Sequence, residues 1–262
     1  MLTIYLIIGA AAGILSGLFG LGGGVVIIPA LSHVFLQSTV IPNTASMQMA
    51  IGTSLAVIIP TSASALYAHH SRGSVDWGLF RIMLPLLIMG AILGAIIAHF
   101  LPSTYLKIIF ALFLWVISLR TIFTKPKQLI EMQLPLKVIR VGALCIGALA
   151  SLLGVGGGSL LVPFLLRCQL DMRKATGTSV ACGLSVGIVA TLSFMLVGLF
   201  SAQHVAWSTG YIYWPAFLSI AVASTLLAPL GAAWAHKLPG EWLKRVFGVF
   251  LLLMACDMLL FK

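Results

Sequence analysis

Acidic side chains are scarce in this chain: five Asp and Glu in 262 residues, against fifteen Lys and Arg. Charged residues together make 8% of the sequence, where a soluble domain carries roughly 25%. So few charges cannot cover a water-facing surface, which excludes an ordinary soluble enzyme or binding module. The acids Asp76, Glu131, Asp171, Glu241 and Asp257 fall between apolar runs or near their ends. No carboxylate is therefore expected at mid-membrane, where proton- or sodium-coupled carriers often keep one. Cysteine is sparse too. Cys145, Cys168, Cys182 and Cys256 show neither CxxC spacing nor a histidine at ligand spacing, so they read as small packing residues. No metal or other cofactor is called for. The net charge of +10 is not gathered into a basic patch with interleaved aromatics, which argues against nucleic acid as a partner. The alternating segments of about ten residues that mark a membrane β-barrel are missing as well.

What is present is hydrocarbon. Hydrophobic residues make 61% of the chain and the mean hydropathy is +1.15. Apolar stretches of about 20 residues, the length that crosses a bilayer as a helix, recur from end to end. The first run has no Lys or Arg ahead of it, so a cleaved secretory signal is not expected. Two glycine-rich breaks interrupt the apolar sequence. One reads Gly17-Leu18-Phe19-Gly20-Leu21-Gly22-Gly23-Gly24 with Pro29, the other Ser151-Leu152-Leu153-Gly154-Val155-Gly156-Gly157-Gly158 with Pro163. Each helical glycine costs about 1 kcal/mol relative to alanine. Unwound backbone survives inside a membrane only where protein buries it or it lines a cavity. Paired breaks at matching places in two halves point to a transporter's binding site.

The halves match beyond the glycines. Gly52-Thr53-Ser54 recurs as Gly177-Thr178-Ser179, Gly73 and Trp77 as Gly210 and Trp214, and His99-Phe100-Leu101-Pro102 as His236-Lys237-Leu238-Pro239. Ordered landmarks of this kind mark an internal repeat. Each half holds a broken unit (about 2–36 and 136–167) and three apolar runs. The runs are about 45–68, 78–99 and 103–123, then about 175–200, 212–235 and 240–261. If each broken unit is a re-entrant hairpin, thirteen of the fifteen Lys and Arg collect on the linker side and only Lys107 and Lys262 lie opposite. If each broken unit crosses, the split is eight to seven. Cations collect on the cytoplasmic side. The expectation is an all-α, polytopic transmembrane helical bundle of two inverted repeats, each a Gly-broken re-entrant hairpin plus three spanning helices. It forms one integral membrane domain over 1–262, with repeat 1 at 1–123, a cytoplasmic linker at 124–137 and repeat 2 at 138–262. Both termini then lie on the outer side of the plasma (inner) membrane.

These motifs resemble the TauE/SafE sulfite exporter family of membrane permeases, and the resemblance runs the whole length of the chain. It implies export or uptake of small anions of sulfur or carbon, such as sulfite, sulfonates and sulfur-containing carboxylates. The second break departs from the first, with Ser151-Leu152-Leu153 in place of Gly17-Leu18-Phe19, which would make the two gates unequal.

From the residues themselves, the second arm of each hairpin would open at Gly22, Gly23 and Gly24, and at Gly156, Gly157 and Gly158. A helix N-terminus offers unpaired N–H groups and about half a positive charge, enough to hold an anion without a buried Lys or Arg. Thr53, Ser54, Thr178 and Ser179 would add hydroxyl donors, or bond back to their own helices. Gln48, a turn earlier, is a candidate pocket residue. Glycines can also serve close helix packing, as GxxxG pairs such as Gly13/Gly17 and Gly90/Gly94 do. His33, His69, His70, His99, His204 and His236 read as interfacial, and a proton as coupling ion stays open, as does the oligomeric state. Two other readings compete. One is a passive anion channel, which uses the same helix dipoles. The other is an intramembrane serine protease built on Gly183-Leu184-Ser185-Val186-Gly187, in which Ser185 would need a histidine at its own depth.

Overall fold

The computed structural model describes residues 2–19, 23–38, 40–123, 135–201, 205–235 and 240–260, with the side chains of 17, 19, 231–235 and 240–244 outside that description. The helices are α1 (Leu2–Phe19), α2 (Gly24–Leu36), α3 (Ser46–Ser71), α4 (Trp77–Phe100), α5 (Ser103–Phe123), α6 (Leu136–Leu152), α7 (Gly158–Arg167), α8 (Met172–Leu199), α9 (Trp214–Ala235) and α10 (Gly240–Leu260). A small hairpin, β1 (Ser208–Thr209) and β2 (Ile212–Tyr213), precedes α9 with Ser208 opposite Tyr213 and Thr209 opposite Ile212. The protein is a polytopic helical bundle. Helices α3, α4, α5 and α8 are long and apolar enough to cross a membrane, and large apolar side chains such as Ile96, Leu112, Trp115, Leu196 and Leu226 face outward. Such a surface suits lipid, not water.

Both breaks fold as hairpins. Helix α2 has 13 residues and α7 has 10, about 20 and 15 Å at 1.5 Å per residue, both well short of a ~30 Å hydrocarbon core. The rings of Tyr5, at the start of α1, and Phe35, at the end of α2, both pack on Tyr213, with centroids 6.3 and 5.8 Å away. The α1–α2 unit thus returns to the level from which it set out. In the second unit, a Cβ at Gly142 of α6 would run into the Phe164 ring of α7, so those two helices also lie back to back.

Packing is exchanged between the halves. Helix α1 lies on α9 of the other half as α6 lies on α4, and the pairs α3–α8 and α5–α10 join like to like. Close approach needs glycine. Gly9 and Gly13 of α1 face the backbone at Ile220 and Ser224, while Gly147 of α6 meets Leu87, and Gly90 and Gly94 of α4 meet the carbonyls of Leu144 and Ala148. These contacts show why the sequence places small residues there. In α1, Gly13 of the expected pair packs in this way and Gly9 joins it, while the surroundings of Gly17 lie outside the description.

Helices α3 and α8 form the central pair and run antiparallel. Gly52, near the start of α3, abuts Tyr211 just beyond α8, and Gly177, near the start of α8, abuts Ser74 just beyond α3. The two hairpins therefore open toward opposite ends of the bundle. Gly73 and Gly210 take left-handed φ values of +65° and +59°, which explains glycine at both places; each turn feeds a tryptophan-initiated helix, α4 or α9. The cysteines meet the packing expectation only in part. Only Cys182 is buried, while Cys145 and Cys256 are exposed on helix surfaces.

Candidate functional site

The two breaks meet between α3 and α8. Gly24, the first residue of α2, sits so close to the second break that a Cβ there would lie 2.5 Å from the Gly154 carbonyl oxygen, 3.1 Å from Ser54 Oγ and 3.3 Å from Val155 Cα. Gly154 and Gly157 have φ of +62° and +75°, a conformation that costs other residues about 1–2 kcal/mol. A Cβ on Gly156 would touch Ile58, midway along α3, and one on Gly183, near the middle of α8, would strike the Gly156 carbonyl. The glycines thus serve both the left-handed turn and the close approach of one backbone to another. Gly22 lies outside the described residues.

Helix α2 starts after Gly23, whose carbonyl accepts from Val26 and Ile27; helix α7 starts after Gly157, whose carbonyl accepts from Leu160 and Leu161. The amides of Gly24, Val25, Gly158 and Ser159 come before these bonds, where a helix has no internal acceptor to offer. With them comes the positive end of each helix dipole.

The hydroxyls divide into different roles. Thr53 Oγ1 accepts from the backbone N–H of Tyr213 at 3.1 Å, and Thr178 Oγ1 accepts from that of Asp76 at 2.9 Å. Each threonine thereby ties its own half to the turn that starts a long helix in the other half. Ser54 Oγ donates to the Gly154 carbonyl at 3.1 Å, directly at the meeting of the breaks. Ser179 Oγ donates to Thr176 of its own helix at 2.8 Å. Gln48 lies apart from the breaks, at the end of the bundle where α3 begins. Its amide donates to the Leu101 carbonyl at 2.8 Å and its oxygen accepts from Ser103 Oγ. The structure thus brings Gly24 and Ser54 against Gly154 and Val155 of the second break, uses Thr53, Thr178 and Ser179 in tying contacts, and leaves Gln48 at the end of the bundle.

Two residues at the second break escaped the sequence reading. Ser151, in the last turn of α6, and Ser159, in the first turn of α7, are 0% and 8% exposed, and among the described residues their Oγ atoms have no hydrogen-bond partner. An unsatisfied buried hydroxyl costs about 1–3 kcal/mol, and these two flank the second break, one at the end of α6 and one at the start of α7. The available signal was the departure of the second copy from the first, with serine where the first has Gly17 and Val25.

The remaining polar groups lie elsewhere. Asp76 caps α4 by accepting from Leu79 N–H at 2.9 Å, Asp171 precedes α8, and Asp257 shares a small crevice with His33 and Lys107. His33, His69, His70 and His99 occupy last turns of helices; His204, His236 and Glu131 lie outside the described residues. Ser185 Oγ bonds back to Ala181 at 3.1 Å, and its flanking Gly183 is accounted for by backing the break. No group of His, Cys, Asp and Glu suited to a metal occurs among the described residues.

Comparison with known proteins agrees with this architecture. The family model for the sulfite exporter TauE/SafE matches residues 5–258. A probable membrane transporter protein of Haemophilus influenzae is 35% identical over 261 residues, covering 99% of this chain and 98% of its own length. Bacillus subtilis YunE, also named a probable membrane transporter protein, is 28% identical over 98% of this chain and 97% of its own. A namesake from Methanocaldococcus jannaschii is 27% identical over 88% and 82%. No solved structure matches the chain significantly. The relatives are named as transporters, not as enzymes. With the family match running across nearly all of its length, this chain belongs to the sulfite exporter TauE/SafE family, as a multi-pass membrane transporter.

Proposed function

We propose that this transporter is a permease for a small anion (sulfite, an organosulfonate or a related sulfur-containing carboxylate) and holds it where the two glycine breaks meet. The observation that carries the reading is the pair of buried, unpartnered hydroxyls, Ser151 and Ser159, flanking a break against which the first residue of α2 packs. Amides and hydroxyls supply donors to oxyanion oxygens without a buried cation. Antiparallel hairpins around one site suit alternating access, one half rocking on the other, with export as the direction.

Replacing both Ser151 and Ser159 with alanine tests the site. A serine that served only structure would cost stability when removed. Here the variant should keep or raise its thermal stability in detergent, while binding of sulfite, sulfoacetate or acetate weakens about tenfold, one charge-assisted hydrogen bond or so. Unchanged affinity across that panel would discard the site.

Orientation follows from charge. Arg72, Arg81, Arg173 and Lys174 lie at the end where α3 stops and α8 begins, opposite to Tyr5, Leu36 and Lys107. Under the positive-inside rule the first of these ends faces the cytoplasm of a plasma membrane and both termini face outward. Alkaline phosphatase fused after Lys262 should then be active in cells, and an inactive fusion would reverse the orientation.

A further inference from the structure

At the end of the bundle where α3 begins lies a cavity of about 380 Å³, lined among others by Thr44, Gln48, His99, Ser201 and Tyr211. Its volume falls in the range of small-molecule sites, about 300–1,000 Å³. The walls come from both halves: the start of α3 and the end of α4 from one, the end of α8 and the β1–β2 turn from the other. Across this seam His99 Nδ1 and Tyr211 Oη are 2.9 Å apart, with their ring centroids at 5.9 Å. When Tyr211 donates to Nδ1, the second ring nitrogen carries the proton and becomes a donor.

The floor is fixed in place. Gln48 is 4% exposed, its amide spent on the Leu101 carbonyl and its oxygen on Ser103 Oγ; Ser103 also reaches the Thr44 carbonyl at 2.7 Å. The described lining contains no carboxylate, and its apolar part is Ala45, Phe100, Leu101, Pro102 and Phe200. From here α8 leads inward. Phe194 packs on Tyr211 at 6.2 Å, and Thr191, Gly187 and Gly183 follow at four-residue steps on one face, ending against Gly156 of the break. Thr191 Oγ1 is a third buried hydroxyl without a partner among the described residues.

We propose that this cavity is a second anion site, a vestibule that takes a small oxyanion, sulfonate or carboxylate, with His99 as the donor facing it and Tyr211 as its positioning residue. Donor-bearing groups without a facing carboxylate select for an anion, and the apolar rim accommodates a short organic tail. The inference leans on the permease reading only for the ligand class, since its geometry is independent of the breaks.

The test is carbethoxylation of histidines in the full-length protein in nanodiscs, read residue by residue by mass spectrometry. Methanesulfonate, sulfoacetate and acetate serve as probes, against sodium chloride at matched ionic strength. At a probe concentration about ten times its dissociation constant, labelling of His99 should fall about tenfold, as 1 + [L]/Kd requires. His70, at the opposite end of α3, serves as the internal reference and should not change. Tyr211→Phe should weaken the protection. Gly24→Leu, which fills the meeting of the breaks, should leave it intact. The proposal is overturned if none of the probes protects His99 relative to His70, if protection disappears in Gly24→Leu, or if His99 is unlabelled without a probe even in Tyr211→Phe, where Nδ1 is released from the tyrosine, since the cavity would then be closed. Failure of the Ser151/Ser159 variant to weaken binding would count against the central site alone and leave these outcomes readable.

Discussion

Replacing Gly24 with leucine is expected to abolish transport while the protein still inserts into the membrane. A Cβ at this position lies 2.5 Å from the Gly154 carbonyl oxygen, a backbone atom held by a left-handed turn, and 3.1 Å from Ser54 Oγ. Ser54 Oγ could turn aside, but the Gly154 oxygen and Val155 Cα are backbone and cannot. Leucine must therefore push the second break off the first, which separates the two helix N-termini and breaks the Ser54 bond. Overpacking of this kind costs about 1–3 kcal/mol, and the displaced backbone is the proposed anion site itself. Gly23 supplies the contrast. A Cβ there meets the Ile27 Cδ1 tip at 3.0 Å, with the nearest other atom at 3.7 Å, so Gly23→Ala should transport close to the wild-type rate. Anion flux into proteoliposomes, with membrane fractionation as the insertion control, checks both variants. A Gly24→Leu protein that transports like the wild type would show that the breaks need not touch.

That contrast between neighbouring glycines could not be read from the sequence, although the break itself could. Helix positions were legible because a bilayer forces backbone hydrogen bonds to close within each segment. Long apolar runs thus became helices nearly residue for residue: about 78–99 became Trp77–Phe100, and about 103–123 became Ser103–Phe123. The repeat was legible as well, because Gly73 and Gly210 answer one local demand, a left-handed turn before a tryptophan-initiated helix.

Facing was the harder question. In water, a polar face reports which side of a helix is outside; in lipid both sides are apolar, so α3 and α8 carry no stripe to read. Partners therefore stayed hidden when they came from distant sequence. Gln48 stands out as a lone amide, but the turn it grips is 53 residues away. His99 reads as interfacial, and only the fold brings Tyr211 to it from 112 residues further on. Strand β2 was likewise merged into the apolar run that became α9. Ser151 and Ser159 were visible only as a small mismatch between the two breaks.

The threonines of the two Gly-Thr-Ser triplets supply the second large effect. Thr53→Val and Thr178→Val should each destabilise the protein by about 1–3 kcal/mol, because each leaves a buried backbone N–H without its acceptor. The side chains are wholly buried and valine keeps their shape, so the missing oxygen is what the measurement reads. The two bonds are equivalents under the repeat: Thr53 serves Tyr213, and Thr178 serves Asp76. The losses should therefore be similar in size, seen as similar drops in melting temperature in detergent, and serine should restore each of them. Anion affinity measured below the melting range should stay near that of the wild type, since these oxygens are already taken up by the seam. The opposite pattern, with stability kept and affinity lost, would return the threonines to the binding site and sink their role as ties. The bonds also bear on movement. Each joins the middle pair of helices to the start of α4 or α9, so a rocking of one half on the other must carry these turns along with α3 and α8 or break both bonds. If the turns move with the pair, weakening one bond should slow transport only through lost stability, and the rate at low temperature should be nearly unchanged in both valine variants.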